Sequence, residues 1–284
     1  MRNRHGFTLI ELLIVLIVMS TVTAGLFKLL TGTQRFSRAQ AERVDLQSNV
    51  RAATFVLPTE LREINTVVGA ATPGPSVDIA EALDTSVTYR AARGLGFVCT
   101  QSTTAPRVRV DLWQGTRAPV PGDSLYVFYK GASVSTDAWA VARITGVATS
   151  TCPNGVGTTP AYTLTLQAAI ALPDMGTPVR TFEKMKLLMY ASSGSKWLGA
   201  QSLSAGEASP QPILGPLATT GGLLFTYLDA NGAATTTLAN IKSIRIKVVG
   251  QTTQRITTGG NTGASNAIVL DSLVTQVSLR NALR

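Results

Sequence analysis

Residues 7–27 form an uninterrupted apolar run with one charge, Glu11. Arg2, Arg4 and His5 precede it, and no further charge appears until Lys28. As a helix these 21 residues span roughly 31 Å, close to the ~30 Å hydrocarbon core of a bilayer. Thirteen of them are Leu, Ile, Val or Phe. On an insertion scale these favour the membrane by roughly 4 to 8 kcal/mol, whereas one acid opposes it by up to about 3 kcal/mol, less near an end. The run therefore predicts a membrane helix despite Glu11. Arg2 and Arg4 predict a cytoplasmic N-terminus, with the rest of the chain outside the cytoplasm.

A carboxylate at membrane depth needs a partner or a route to the headgroups. One reading lets Glu11 reach back to the interface. Another makes residues 1–24 an ordinary secretory signal, with Val22-Thr23-Ala24 as a poor cleavage site. A charge five residues into the run, and the length of the run, argue against that signal. Gly6-Phe7-Thr8-Leu9-Ile10-Glu11 after a short basic leader resembles the processing motif of type IV pilins and related pseudopilins. The resemblance implies that a membrane peptidase cuts between Gly6 and Phe7 and N-methylates Phe7. It also implies that Glu11 serves assembly, pairing with the positively charged N-terminus of an adjacent subunit. In a low dielectric such a pair offsets the desolvation of both charges. A glycine before the cut lets the backbone approach a catalytic site closely.

The chain has 284 residues, 45% of them hydrophobic. Beyond an anchor of about 30 residues that length suits one large domain or two small ones. A net charge of +9 is compatible with nucleic acid or an anionic surface. No Lys/Arg run concentrates it, so a solvated basic surface accounts for it better. Cys99 and Cys152 are the only cysteines. They read as free thiols in a cytosolic enzyme, but an oxidising compartment favours a bridge between them.

Helical periodicity continues past the anchor. Leu46, Val50, Ala53, Leu57, Leu61 and Ile64 make one apolar stripe, opposite Arg43, Asp45, Gln47, Asn49 and Arg51. The pattern predicts one long helix from Thr8 to Asn65, weakened at Gly25 and Gly32 and kinked or restarted at Pro58. Val67–Ser76 reads as a loop and Asp78–Leu83 as a short helix. Strand patterns follow at Arg107–Leu112, with Val108, Val110 and Leu112 inward, and at Ser124–Lys130, Ala138–Val147, Tyr162–Gln167 and Lys184–Tyr190. Pro119, Pro121-Gly122, Pro153-Asn154-Gly155 and Pro173 punctuate them. Ser192–Thr220 reads mostly as loop around Trp197-Leu198. Leu223–Leu228 leads into Asp229-Ala230-Asn231-Gly232, a hairpin signal that lacks the acids of a calcium loop. Ile241–Val249 reads as a strand with Ile244, Ile246 and Val248 on one face. Gln251–Ala267 reads as a mobile polar loop, and Ile268–Leu279 as a final alternating strand. One helix followed by many short strands, without βαβ alternation, predicts an α+β fold with the helix packed on a mainly antiparallel sheet.

Phe225–Gly232, the strand at Ile244–Val248 and the ending Val277-Ser278-Leu279-Arg280-Asn281 resemble PilW-type minor pilins. The J-type pseudopilins of type II secretion share a similar plan. The chain lacks the proline that many major pilins carry early in the outer helix. The expected organisation is a leader at 1–6, a transmembrane half-helix at 7–27, an amphipathic half at 28–65 and a β-rich globular domain at 66–284. The resemblance implies an inner-membrane prepilin with a periplasmic domain, later part of a surface pilus. It would be assembled through its hydrophobic helix to initiate or cap the filament. Implied partners are the prepilin peptidase, major and minor pilins, the inner-membrane assembly platform and, as a further alternative, DNA during uptake or a surface ligand.

No enzyme, cofactor or metal site is expected. His5, the only histidine, lies in the leader, which removes histidine-based triads and metal sites from the processed chain. No G-x-x-x-x-G-K-[ST] loop is present. Gly94-Leu95-Gly96 reads as a turn. Glu60, Glu63, Glu81, Asp84 and Glu183 show no acid/base spacing. Trp113, Trp139 and Trp197 read as core or half-buried strand residues.

Overall fold

The computed structural model describes residues 8–64, 78–109, 113–133, 137–153, 160–258 and 265–279. Gly6 and Phe7 lie outside them, as do Arg2, Arg4, His5, Asn65, the expected loop Val67–Ser76, Val110–Leu112, Asn154-Gly155 and Arg280-Asn281. The protein is α+β: one long N-terminal helix and a β-sheet domain whose described pairings are all antiparallel. It divides into two compact units, Met1–Ser48 with Gln251–Asp271, and Asn49–Gly250 with Ser272–Arg284.

Helix α1, Leu9–Arg62, has 54 residues and is about 81 Å long. Neither Gly25, Gly32 nor Pro58 interrupts it, so the expected restart at Pro58 is absent. Leu46, Val50, Ala53, Leu57, Leu61 and Ile64 are all buried. Arg43, Asp45, Gln47 and Arg51 are exposed, and half-buried Asn49 donates to the Gly215 carbonyl at 3.1 Å.

The strands of the second unit follow in chain order. They are β1 (Ile79–Leu83), β2 (Ser86–Thr100), β3 (Arg107–Arg109), β4 (Gln114–Gly115), β5 (Ser124–Tyr129), β6 (Ala138–Thr151) and β7 (Pro160–Leu166). Then come β8 (Pro178–Ser192), β9 (Ser195–Ser202), β10 (Gln211–Leu217), β11 (Leu223–Leu228) and β12 (Ser243–Gln251). In the first unit, β13 (Ile256–Thr258) and β14 (Ser265–Ala267) form a separate two-stranded sheet. The last strand, β15 (Leu270–Ser278), pairs with β12.

Five further expectations from the sequence change. Asp78–Leu83 is not helical: fewer than two turns of helix are too short to be stable alone, and the Asp84-Thr85 turn folds Ile79–Leu83 back onto β2. Gly94-Leu95-Gly96 is not a turn but lies inside β2, where both glycines face Trp113. A Cβ on Gly94 would stand 2.1 Å from Trp113 Cζ2, and one on Gly96 2.7 Å from Trp113 Cε3. The Ser192–Thr220 region holds β9 and β10. Ser193 (φ 50°) and Gly194 (φ 79°) form the left-handed two-residue turn that starts β9, whereas Pro212 and Pro216 hide β10 from a propensity reading. Asn231-Gly232 does form a turn, closed by two backbone N–H groups donating to Asp229 Oδ1. The chain does not return directly to β12, however, but bridges Leu228 to Ala234 and passes a 3-10 turn at Leu238–Asn240. Finally, Gln251–Ala267 carries the β13–β14 pair, where Ile256 faces Ala267.

The core of the second unit has two parts. In the first, Ala53, Leu57 and Leu61 of α1 and Ile64 just beyond its end pack with Tyr89, Leu187, Leu198, Phe225, Ile244, Ile246 and Val277. The second lies inside a closed ring of strands: β2 pairs β3, then β7, β6, β5 and β8 follow in order, and β8 returns to β2. Val98, Val108, Leu125, Val127, Ile144, Leu164 and Val179 fill this six-stranded barrel. Strands β2 and β8, 15 residues each, are long enough to serve both parts. A disulfide joins Cys99 and Cys152 (S–S 2.03 Å) beside buried Ala161, tying β2 to the chain just after β6. Closing a loop across a sequence separation of 53 residues stabilises by about 4 kcal/mol in a chain-entropy model.

At the junction of the two parts β2 bulges at Arg93, between the pairs Ala92–Phe182 and Gly94–Thr181. A bulge re-aims its side chain, and Arg93 Nε meets Glu183 Oε2 at 2.6 Å. Arg117 Nη2 reaches the same oxygen at 3.3 Å and grips fully buried Asp123 through two contacts of 2.7 and 2.8 Å. Ser202 donates to Glu183 Oε1, and Arg93 also lies 4.0 Å from Glu60 on α1. Burial alone would push the Glu183 carboxyl up, but the Ser202 hydroxyl and the two guanidiniums outweigh it and hold it below the usual carboxylate range. Trp113 donates its indole N–H to the Arg117 carbonyl at 2.9 Å. We expect Gly94→Ala to displace that ring and cost about 1 to 3 kcal/mol, read by chemical denaturation and a red-shifted tryptophan emission.

Candidate functional site: the N-terminal segment

Thr8 caps α1. Its Oγ1 accepts from the Glu11 N–H at 3.3 Å, and its carbonyl accepts from the Leu12 N–H at 3.2 Å. Thr8-Leu9-Ile10-Glu11 has the spacing of a capping box, with Glu11 in the first turn. A negative charge there is favoured by the helix dipole. Glu11 is exposed and makes no ion pair among the described residues. Its carboxylate is available to a group outside this chain.

The helix around it has no cover. The most apolar 18-residue stretch has mean hydropathy 2.4 and is 0% buried. Leu12, Leu13, Ile14, Leu16 and Ile17 are exposed, as are Val18, Leu26 and Leu30. The hydroxyls within it are satisfied internally: Ser20 donates to the Ile17 carbonyl, Thr21 to Val18 and Thr23 to Met19, at 2.7 to 2.8 Å. That pattern suits an environment without water, where a lone donor costs several kcal/mol. Among the described residues, α1 is the one helix long and apolar enough to cross a membrane.

The remaining candidates are dispersed. Trp113, Trp139 and Trp197 are half-buried. Trp139 stacks edge-on with Phe128 and lies under Arg180, while Trp197 donates to the Ser192 carbonyl. No three His, Cys, Asp or Glu residues gather to hold a metal among the described residues. The Glu183 network was not singled out by sequence; an acid in mid-strand, between Phe182 and Lys184, is the one signal it leaves.

Residues 1–27 match the family model for the prokaryotic N-terminal methylation motif. Neither the curated proteins nor the solved structures give a match to this chain. The motif and the uncovered apolar helix support a type IV pilin-like protein, a structural subunit rather than an enzyme. They imply anchoring in a membrane, processing by a prepilin peptidase and assembly with other pilins.

Proposed function

We propose that the chain is a minor pilin of a type IV pilus, close to the PilW type. It is cut between Gly6 and Phe7, N-methylated on Phe7, and assembled through α1 to initiate or cap the filament. The observation that carries this reading is an 18-residue apolar stretch of α1 left uncovered by the described chain, with Glu11 in the first turn of the helix. About 81 Å of helix supplies both a membrane segment and a buried stripe that docks on the sheet at Ala53, Leu57 and Leu61. The β-rich domain then lies in the periplasm, where the Cys99–Cys152 bridge is stable. A six-stranded barrel added to the sheet that the helix packs on favours a specialised position over a repeating one. Force and ATP hydrolysis come from the assembly platform and its partners.

The second reading is a J-type pseudopilin of type II secretion, which needs the same helix and processing. A role in DNA uptake or surface adhesion would use the same fold with the β domain as the contact surface. Shearing filaments from cells and measuring subunit ratios separates these. We expect the chain in the pilus fraction at a few per cent or less of the major subunit. Equal amounts would make it a major pilin, and co-purification with a secretion complex while pili lack it would favour the pseudopilin.

A further inference from the structure

In the first unit, α1 and the β13–β14 pair enclose a cleft of about 770 Å³, within the range of about 300 to 1,000 Å³ typical of ligand sites. Arg35, Arg38, Glu42 and Asp45 line it from one face of the helix, and Arg255 and Asn266 from the strand side. Arg38 precedes Glu42 by four residues, the spacing of a helical ion pair, yet no pair forms between them. Glu42 is occupied elsewhere: it accepts from Thr253 N–H at 2.8 Å, Thr253 Oγ1 at 2.5 Å and Gln254 N–H at 3.4 Å. The segment that takes up the acid also carries Arg255, whose Nη1 donates to the Asn266 carbonyl at 3.3 Å. Three guanidiniums thus share one concave site, and none makes an ion pair among the described residues.

We propose that this cleft binds a phosphate group. Guanidinium forks match the oxygens of phosphate better than an ammonium does. The three guanidiniums outnumber the two carboxylates, Glu42 and Asp45, and Glu42 is held by the Thr253-Gln254 segment. Position favours a lipid headgroup as the source, a point that rests on α1 spanning a membrane. The apolar run ends at Phe27, exposed Leu29 and Leu30 follow Lys28, and Arg35 lies about 7.5 Å beyond Leu30 along the axis. The headgroup layer extends roughly 5 to 8 Å beyond the hydrocarbon, within reach of the Arg35 and Arg38 side chains. A soluble phosphate ester would use the same three guanidiniums.

The test uses the full chain in detergent. Native mass spectrometry compares retained phosphatidylglycerol with phosphatidylcholine, and calorimetry titrates inorganic phosphate. Arg35→Gln, Arg38→Gln and Arg255→Gln leave the capping and core contacts alone. We expect at least tenfold preference for phosphatidylglycerol, with a tenfold loss in the double variant Arg35→Gln/Arg38→Gln and a smaller loss in Arg255→Gln. Phosphate binding lost in the same variants, without lipid preference, upholds the site and assigns it to soluble esters. Retention unchanged by all three substitutions, or arginine-dependent retention of DNA alone, overturns it. Either result can occur while the leader is cleaved normally and the chain enters filaments, so this inference fails separately from the pilin reading.

Discussion

Glu11→Ala is expected to reduce the amount of this chain in sheared filaments by at least tenfold while leaving its membrane insertion intact. Removing an acid from the apolar run lowers the insertion cost by up to about 3 kcal/mol, so the anchor should if anything insert more readily. The local fold should also hold, because the cap at the helix start is made by Thr8 Oγ1 to the residue-11 backbone N–H, which alanine retains. What disappears is an exposed carboxylate with no ion-pair partner among the described residues. On the proposed reading it meets the N-terminal cation of an adjacent subunit. Glu11→Gln keeps the shape and loses the charge, and should fail in the same way. Quantitative blotting of membrane and filament fractions distinguishes the two steps. Equal filament amounts for wild type and both variants would remove the assembly role assigned to Glu11.

The largest expected loss of stability follows Arg117→Ala. The substitution leaves Asp123 fully buried without its bidentate partner and removes one of two guanidiniums from Glu183. Breaking a buried pair from one side costs roughly 3 to 5 kcal/mol, or a drop of about 10 °C in Tm for a domain of this size. Denaturation of the full chain in detergent measures it; a change below about 1 kcal/mol would show that the network carries no more than a surface pair. Its pH dependence has a definite sign. The Glu183 carboxyl is held below its ordinary value of 4.5 in the fold. Its stabilisation is therefore complete above that value and is lost as the pH falls through the lowered folded-state value.

The parts of the fold with a repeating pattern were legible in the sequence. The stripe Leu46–Ile64 reports a helix because its spacing fits one face, and those residues are buried. Ile244, Ile246 and Val248 report a strand in the same way, and all three are buried. What stayed hidden depends on contacts distant in sequence. Nothing local says that Gly94 and Gly96 belong to a strand; the reason is the Trp113 ring lying against them. Nor does Arg93 announce a bulge, since its partners are Glu183, in mid-strand, and Glu60, on the helix. The barrel closes only because β2 and β8 are each long enough to pair twice. At the N-terminus the reverse holds. The motif is short and local, and its acid stands out because every neighbour is apolar.

Intact-mass spectrometry of the protein extracted from membranes decides whether the N-terminus is processed as proposed. The processed protein is expected to begin at Phe7, to have lost residues 1–6 and to carry one added methyl group. The full-length mass is expected to return when the prepilin peptidase is deleted. A chain that keeps Met1–Gly6 in the presence of active peptidase, or one that begins after Ala24, would contradict that processing.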